Sequence, residues 1–175
     1  MTALPRPRDD EYAEYYRPYV ALVPDGPVLA TLRSQFEETR DLLAGVPAER
    51  ETYRYAPDKW SIREVVGHLA DSEWVFFYRA VSMARGDTSP LPGMDPDVWA
   101  DHGGAHHRPL PELVEDWAAI RAAGVRVLSS LDAEAAARPG RASGMPFTAR
   151  TFPWIVAGHE LHHRAVLGEA YDVGS

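Results

Sequence analysis

The stretch Thr151-Phe-Pro-Trp-Ile-Val-Ala-Gly-His159-Glu-Leu-His-His163-Arg-Ala-Val-Leu167 decides how this chain folds. Phe152, Ile155, Val156, His159, His163, Val166 and Leu167 recur at three- and four-residue steps, one face of a helix. That helix starts between Thr148 and Thr151, because Pro153 costs little in a first turn and would kink a helix begun earlier. Two histidines stand in an apolar face where leucine is expected. At about 100° per residue they lie within roughly 40° of each other and point at a core. Buried imidazoles need partners for their ring nitrogens, and one divalent cation serves two at once. A four-residue step is the helical spacing that lets two rings converge on one ion.

Three further amphipathic stripes precede this one. The first opens near Asp25-Gly26-Pro27 and carries Leu29, Leu32, Phe36, Leu43 and Val46, with Gly45 and Pro47 ending it. The second opens at Ser61, with Glu64 three residues on, a capping box in which each side chain satisfies the other's free N–H. Its stripe is Ile62, Val65, Val66, Leu69, Phe76, Phe77 and Ala80, and it runs to about Arg85, where Gly86-Asp87 stops it. The third begins near Pro111-Glu112 and aligns Leu113, Trp117, Ile120, Gly124, Val127, Leu128 and Leu131. Gly124 in that stripe predicts close approach of a neighbouring helix or a bound group. Four such helices with little strand signal predict an all-α four-helix bundle over residues 28–170.

The connections carry their own signals. Residues 1–27, rich in Pro, Tyr and acids, predict an arm that packs on the domain, with mobile extreme residues. A long loop, Thr88–Pro109, separates the second and third helices, and a short helical turn around Asp97-Val-Trp-Ala interrupts it. Loops of this length are commonly functional or mobile. Pro139 to Pro146 is a turn-rich connector.

Composition narrows the class. The 175 residues suffice for one domain with a sizeable core. No apolar run approaches the roughly 20 residues of a membrane span, and the first residues hold no signal-peptide stretch, so the expectation is a cytoplasmic protein. There is no cysteine, which excludes disulfides, thiolate zinc sites and cysteine nucleophiles and leaves nitrogen and oxygen as metal ligands. A net charge of -8 repels phosphate backbones and anionic membranes, so neither nucleic acid nor membrane is an expected partner. No dinucleotide fingerprint, phosphate-cradling glycine loop or Ser-His-Asp order is present.

Two ligands from one helix make a weak site. His68, between Val65 and Leu69 on the second helix, is the best third. Three neutral imidazoles leave an open position, the pattern of catalytic rather than structural zinc. His162 is expected at the rim of the site, and His102, His106 and His107 are solvated loop residues offering a weaker second metal hypothesis. Glu73 falls on the apolar side of the second helix: a carboxylate paired with an arginine or a tyrosine hydroxyl or, in the sharper reading, a base or an orienter of a ligand imidazole. Asp71 and Glu160 are expected in solvent. Trp60 staples the second helix into the core. Trp74, Trp117 and Trp154 are core or interface residues, and Trp99 is a pocket-wall candidate.

Three blocks resemble the DinB/YfiT-like superfamily of metalloenzymes: Tyr53-Arg-Tyr-Ala-Pro-Asp-Lys-Trp-Ser-Ile-Arg-Glu-Val-Val-Gly-His68-Leu, Arg85-Gly-Asp-Thr-Ser-Pro-Leu-Pro-Gly, and Ile155-Val-Ala-Gly-His159-Glu-Leu-His-His163. They fall in the family's order and span about Val28 to Leu167. The resemblance implies a four-helix bundle, often a homodimer, with zinc or nickel held by one histidine of the second helix and an HxxxH pair of the last. That pattern falls on His68, His159 and His163, the residues selected above. It also implies activation of a low-molecular-weight thiol or a water for attack on a small-molecule electrophile. Thiol S-transfer is the leading expectation. A metal-dependent hydrolase, or a non-catalytic dimeric metal- or ligand-binding module, is the alternative.

Overall fold

The computed structural model describes residues 4–174, so the expected mobility of the extreme residues concerns positions that lie, in part, outside the described ones. In chain order the elements are α1 (Arg17–Leu22), α2 (Val28–Ala44), α3 (Ile62–Ala84), α4 (Pro96–His102), α5 (Leu110–Leu128), α6 (Ala133–Ala137), β1 (Pro139–Ala142), β2 (Met145–Thr148) and α7 (Thr151–Tyr171). The long helices α2, α3, α5 and α7 form the bundle. Each of α2 and α3 packs on both α5 and α7, and α1 lies along α7. No helix among the described residues is long and apolar enough to cross a membrane.

Local chemistry sets the boundaries. The capping box at the start of α3 is present in both directions: the Glu64 amide donates to Ser61 Oγ at 3.3 Å, and the Ser61 amide donates to Glu64 Oε2 at 2.6 Å. Pro27 immediately precedes α2, and Pro153 sits in the first turn of α7. The third amphipathic stripe begins at Leu110 and ends at Leu128, so Leu131 lies beyond the helix. Gly124 admits the ring of Phe77 from α3, and any Cβ there would overlap that ring, so this glycine sets how closely α3 and α5 approach.

Two connectors are more ordered than their composition suggested. Within the long loop, Pro96 and the Asp95 carboxylate, which accepts from the Asp97 and Val98 amides, start α4 over the N-terminal half of α3. The Pro139–Pro146 segment is no mere turn. β1 and β2 pair antiparallel, Gly140 opposite Phe147, around a two-residue loop in which Ser143 and Gly144 have φ of +51° and +76°. Two left-handed residues make the tight hairpin turn whose twist matches its strands. Arg79 of α3 secures it, donating from Nη2 to the Pro92 carbonyl at 2.7 Å and to Ser143 Oγ at 3.2 Å.

The core has two apolar parts. One gathers the arm (Leu4, Tyr12, Val20, Val23), the C-terminal half of α3, the hairpin and the first turns of α7. The other gathers Phe36, Ile62, Val65, Leu69, Leu113, Trp117 and Leu167 at the opposite end of the bundle. Along α3 and α7 the buried polar residues His68, Glu73, His159 and Glu160 fall where one part gives way to the other. Thr151 through Glu160 are all buried. The arm causes this, because α1 covers the face of α7 that a bare four-helix bundle would leave in water.

Candidate metal centre

His68 is carried by α3, whose start is fixed by the Ser61–Glu64 box two turns earlier. His159 and His163 are carried by successive turns of α7. The three rings meet in the interior. Nε2 of His159 lies 3.1 Å from Nε2 of His68 and 3.1 Å from Nε2 of His163. Ligand atoms of all three fall within 4.8 Å of one another, the sole such group of potential metal ligands among the described residues.

This convergence poses a problem that protein atoms alone do not solve. His159 Nε2 can carry at most one proton, and that proton serves one of its two nitrogen neighbours well. The other contact is then left with a bent, shared hydrogen bond or with none, which is costly in a buried site. A cation at the centre turns three lone pairs from a liability into ligands. Four-coordinate zinc with metal–nitrogen bonds of about 2.0–2.1 Å separates its nitrogens by roughly 3.3 Å, close to the spacing seen. The residues therefore fit a divalent metal of the zinc, nickel or copper type, bound by neutral imidazoles.

Electrostatics favours the ligand form. Burial pulls His68 down to about 4 and His163 to about 3. Burial, and then the neighbouring imidazoles, hold His159 well below the usual histidine range. All three are neutral at neutral pH. With Nε2 turned to the centre, the protons sit on Nδ1. The Ser72 hydroxyl lies 3.5 Å from Nδ1 of His68, whereas the buried Nδ1 of His163 has no partner among the described residues.

Aromatic rings wall the cluster. Trp60 lies 4.7 Å from the His68 ring, centroid to centroid, and Tyr19 of α1 lies 5.6 Å from His159. Tyr19 reaches that position because its carbonyl packs directly on Gly158, where any side chain would collide. Burial raises the Tyr19 hydroxyl to about 12, so it stays protonated. A cavity of about 470 Å³ opens beside His163 and is lined by Tyr55, Lys59, Trp60, Asp97, His162 and Tyr171, among others. A smaller one, of about 120 Å³, reaches His68 from the other side past Trp99 and Asp71.

The structure brings together His68, His159 and His163, and it places His162 on the rim and Trp99 on a pocket wall, as the sequence suggested. Trp60 does more than staple a helix, since its ring packs against the His68 imidazole. Asp71 is half-buried, and burial raises its carboxyl pKa. His102 and His107 are exposed, but His106 is half-buried with Nδ1 3.2 Å from Ser61 Oγ, and the loop histidines form no metal group among the described residues. Tyr19, Tyr55 and Tyr171 were missed: their positions on the arm, a loop and the last turn of α7 carry no periodic signal pointing at the site.

Glu73 and Glu160 require correction. Glu73 is not presented to the imidazoles. It follows His68 by five residues, roughly 140° around the helix, so one helix cannot aim both at one ion. Its carboxylate accepts from Trp117 Nε1 at 2.6 Å and from the Arg121 guanidinium, with Nε at 2.9 Å from Oε2. The arginine pairing was the plainer of the two readings of this residue. Glu160, expected in solvent, is 0% exposed. It accepts from Arg121 Nη2 at 2.8 Å, Gln35 Nε2 at 2.6 Å and Thr39 Oγ1 at 2.7 Å. Arg121 also donates to the Leu32 carbonyl at 2.5 Å, so the cluster ties α2, α3, α5 and α7 together. Burial raises the Glu73 carboxyl despite Arg121 and Trp117, and the nearby Glu160 carboxylate adds to the rise.

A family model described as the DinB superfamily matches residues 31–167. No curated protein matches the sequence. Among solved structures, the fold is similar to that of YfiT from Bacillus subtilis, described as a probable metal-dependent hydrolase with an unusual four-helix bundle topology. The TM-score is 0.70 at 17% identity, covering 94% of this chain and 90% of that one. It is also similar to a mycothiol-dependent maleylpyruvate isomerase, with a TM-score of 0.69 at 13% identity, covering 85% of this chain and 62% of that one. At such identities the likeness is one of fold.

Proposed function

The chain belongs to the DinB superfamily, and on that premise we propose that it is a metal-dependent enzyme that activates a low-molecular-weight thiol for transfer to a small-molecule electrophile. The observation that carries this reading is the meeting of three Nε2 atoms, two of them 3.1 Å from the third, with no carboxylate of the described residues hydrogen-bonded to their rings. A divalent cation such as zinc or nickel, when bound, supplies Lewis acidity that lowers the pKa of a coordinated thiol or water toward neutrality.

The chain's own residues do the rest. His68, His159 and His163 offer neutral Nε2 lone pairs and keep their protons on Nδ1. Occupying three positions, they leave room for an exogenous ligand. Trp60 and Tyr19 cover two sides of the cluster and exclude water from them. The cavity beside His163 admits the electrophile, with the Tyr55, Trp60 and Tyr171 rings forming its apolar part and His162 at its mouth. Glu73 and Glu160 take no part in proton transfer, since both carboxylates are committed to Arg121.

A second reading is hydrolysis by an activated water, favoured by the similarity to YfiT across 90% of that chain. One experiment separates the two. Zinc- or nickel-loaded protein is incubated with a chromogenic electrophile and each of several thiols, and in parallel with a chromogenic ester without thiol. Thiol-dependent product that disappears on chelation and in His159→Ala supports the transferase. Metal-dependent ester cleavage with no thiol-dependent product moves the assignment to the hydrolase, and inactivity in both arms overturns both readings.

A further inference from the structure

The cavity beside His163 is lined by the sole lysine of the chain. Of 18 basic residues, Lys59 alone is not an arginine. The difference is chemical: a guanidinium is a planar fork suited to fixed pairing, whereas an ammonium is a point charge with three donors on a flexible stem. Buried and half-buried arginines of this chain, such as Arg63, Arg79, Arg121 and Arg150, are tied to carboxylates or carbonyls. The Lys59 ammonium has one ion pair, with Asp58 at 3.1 Å, so donors remain to be used. Asp58 foremost, with Tyr55 and Asp97 adding to it, raises the Lys59 pKa, so the group stays charged. Its backbone is held although its head is free. Arg54 donates to the Lys59 carbonyl at 2.5 Å and to Glu64 Oε1 at 2.8 Å, which joins this loop to the cap of α3. Tyr171 Oη donates to the next carbonyl, that of Trp60, at 2.5 Å. From α4 the same cavity receives Asp97, whose carboxylate accepts no hydrogen bond from the described residues.

We infer that the electrophile taken by this cavity is of amino-acid type, its carboxylate received by Lys59, its ammonium by Asp97 and its carbon skeleton by the rings of Tyr55, Trp60 and Tyr171. The inference rests on the assignment of this cavity to the electrophile and names the class of that molecule. A ligand bearing only a carboxylate would use the lysine and be opposed by Asp97. One bearing only an ammonium would use Asp97 and be opposed by Lys59. A molecule carrying both signs a few bonds apart uses both groups and is opposed by neither, so the pair selects against the singly charged relatives as well as for the zwitterion. The volume of about 470 Å³ lies within the range of about 300–1,000 Å³ typical of small-molecule sites, and the three rings supply the apolar part such sites require.

Titration calorimetry with L-phenylalanine, 3-phenylpropionate and phenethylamine tests it, since the three share a skeleton and carry both charges, the carboxylate alone and the ammonium alone. The parent and His159→Ala are both titrated without added metal, so that chelation of a bound cation by the amino acid contributes nothing. Phenylalanine should bind about tenfold or more tighter than either analogue in both proteins. Lys59→Met should lose that advantage while still binding phenethylamine at least as well as the parent does. Asp97→Asn should lose it while still binding 3-phenylpropionate at least as well. Both side chains are exposed, so helical circular dichroism should be unchanged. If Lys59→Met loses its helical signal, Asp97→Asn decides in its place. No binding of phenylalanine up to about 10 mM, equal affinity for the three probes, or an advantage that survives the substitutions overturns the inference. No metal or turnover enters this measurement, so its failure is distinct from a failure of thiol transfer.

Discussion

His159 and Glu160 are neighbours on α7, yet they enter two buried polar clusters built on opposite principles. The Glu160 side is nearly complete. Two carboxylates accept from one guanidinium, an indole N–H, an amide N–H and a hydroxyl, four helices are joined in doing so, and of these groups Gln35 Oε1 alone lacks a partner among the described residues. The His159 side is incomplete. Three imidazoles turn the same kind of nitrogen toward one point, and among the described residues no carboxylate hydrogen-bonds to them. A self-contained cluster reads as architecture, whereas one that needs something from outside reads as a binding site. Burial alone does not distinguish them.

Breaking the nearly complete cluster should have the largest effect on stability. Arg121→Met leaves two carboxylates buried without a cation, and urea unfolding should report a loss of about 3–5 kcal/mol. The protein that remains folded should still bind metal, and a variant folded yet unable to bind would blur the distinction between the clusters. Filling the incomplete cluster comes next. Zinc or nickel at a hundred times its dissociation constant should stabilise the parent by about 2.7 kcal/mol, read as a rise in Tm. His68→Ala, His159→Ala and His163→Ala should each lose most of that increment, and an undiminished rise in His159→Ala would remove the metal site from consideration.

Acid should act on the imidazole cluster in a defined window. His68 has a folded pKa of about 4 against 6.5 for the free side chain. Below pH 6.5 the unfolded chain binds a proton that the folded chain refuses, so the metal-free protein loses stability as pH falls from about 6.5 toward 4. The slope approaches about 1.4 kcal/mol per pH unit for each such imidazole. Above pH 7 the contribution is constant. His68→Ala should flatten the unfolding profile in that interval, and a parent profile that is already flat would contradict the burial of these rings. The smallest effect belongs to Glu73→Gln, which keeps an acceptor for Trp117 and should cost about 1 kcal/mol. Metal content and turnover per bound metal should be unchanged, and a selective fall in turnover would return Glu73 to the chemistry.

Much of the architecture was legible because it is written locally. The Ser61–Glu64 box, the prolines at the starts of α5 and α7, and the three- and four-residue apolar steps each depend on residues within one or two turns. They gave the four bundle helices with their starts close to place, while the third stripe ran three residues past the end of α5 and the fourth stopped four short of the end of α7. The same short-range geometry singled out His159 and His163, and the position of His68 between Val65 and Leu69 made it the third candidate. Glu160 was misread because one stripe per helix presumes one buried face, whereas α7 turns a second face to Gln35 and Thr39 of α2 and Arg121 of α5. The Pro139–Thr148 hairpin was misread because its strands are four residues long and owe their position to Arg79 and Leu91 elsewhere in the chain.

The order of residues thus determined where helices begin and end, which faces are apolar, and that imidazoles stand where leucines should, since each is settled by neighbours a few bonds away. Only the tertiary structure decided that His68 reaches His159, that Glu160 is enclosed with Arg121, and that Trp74 is left in solvent. Those outcomes depend on how helices distant in sequence pack, and packing is a property of the whole set of surfaces rather than of any one segment.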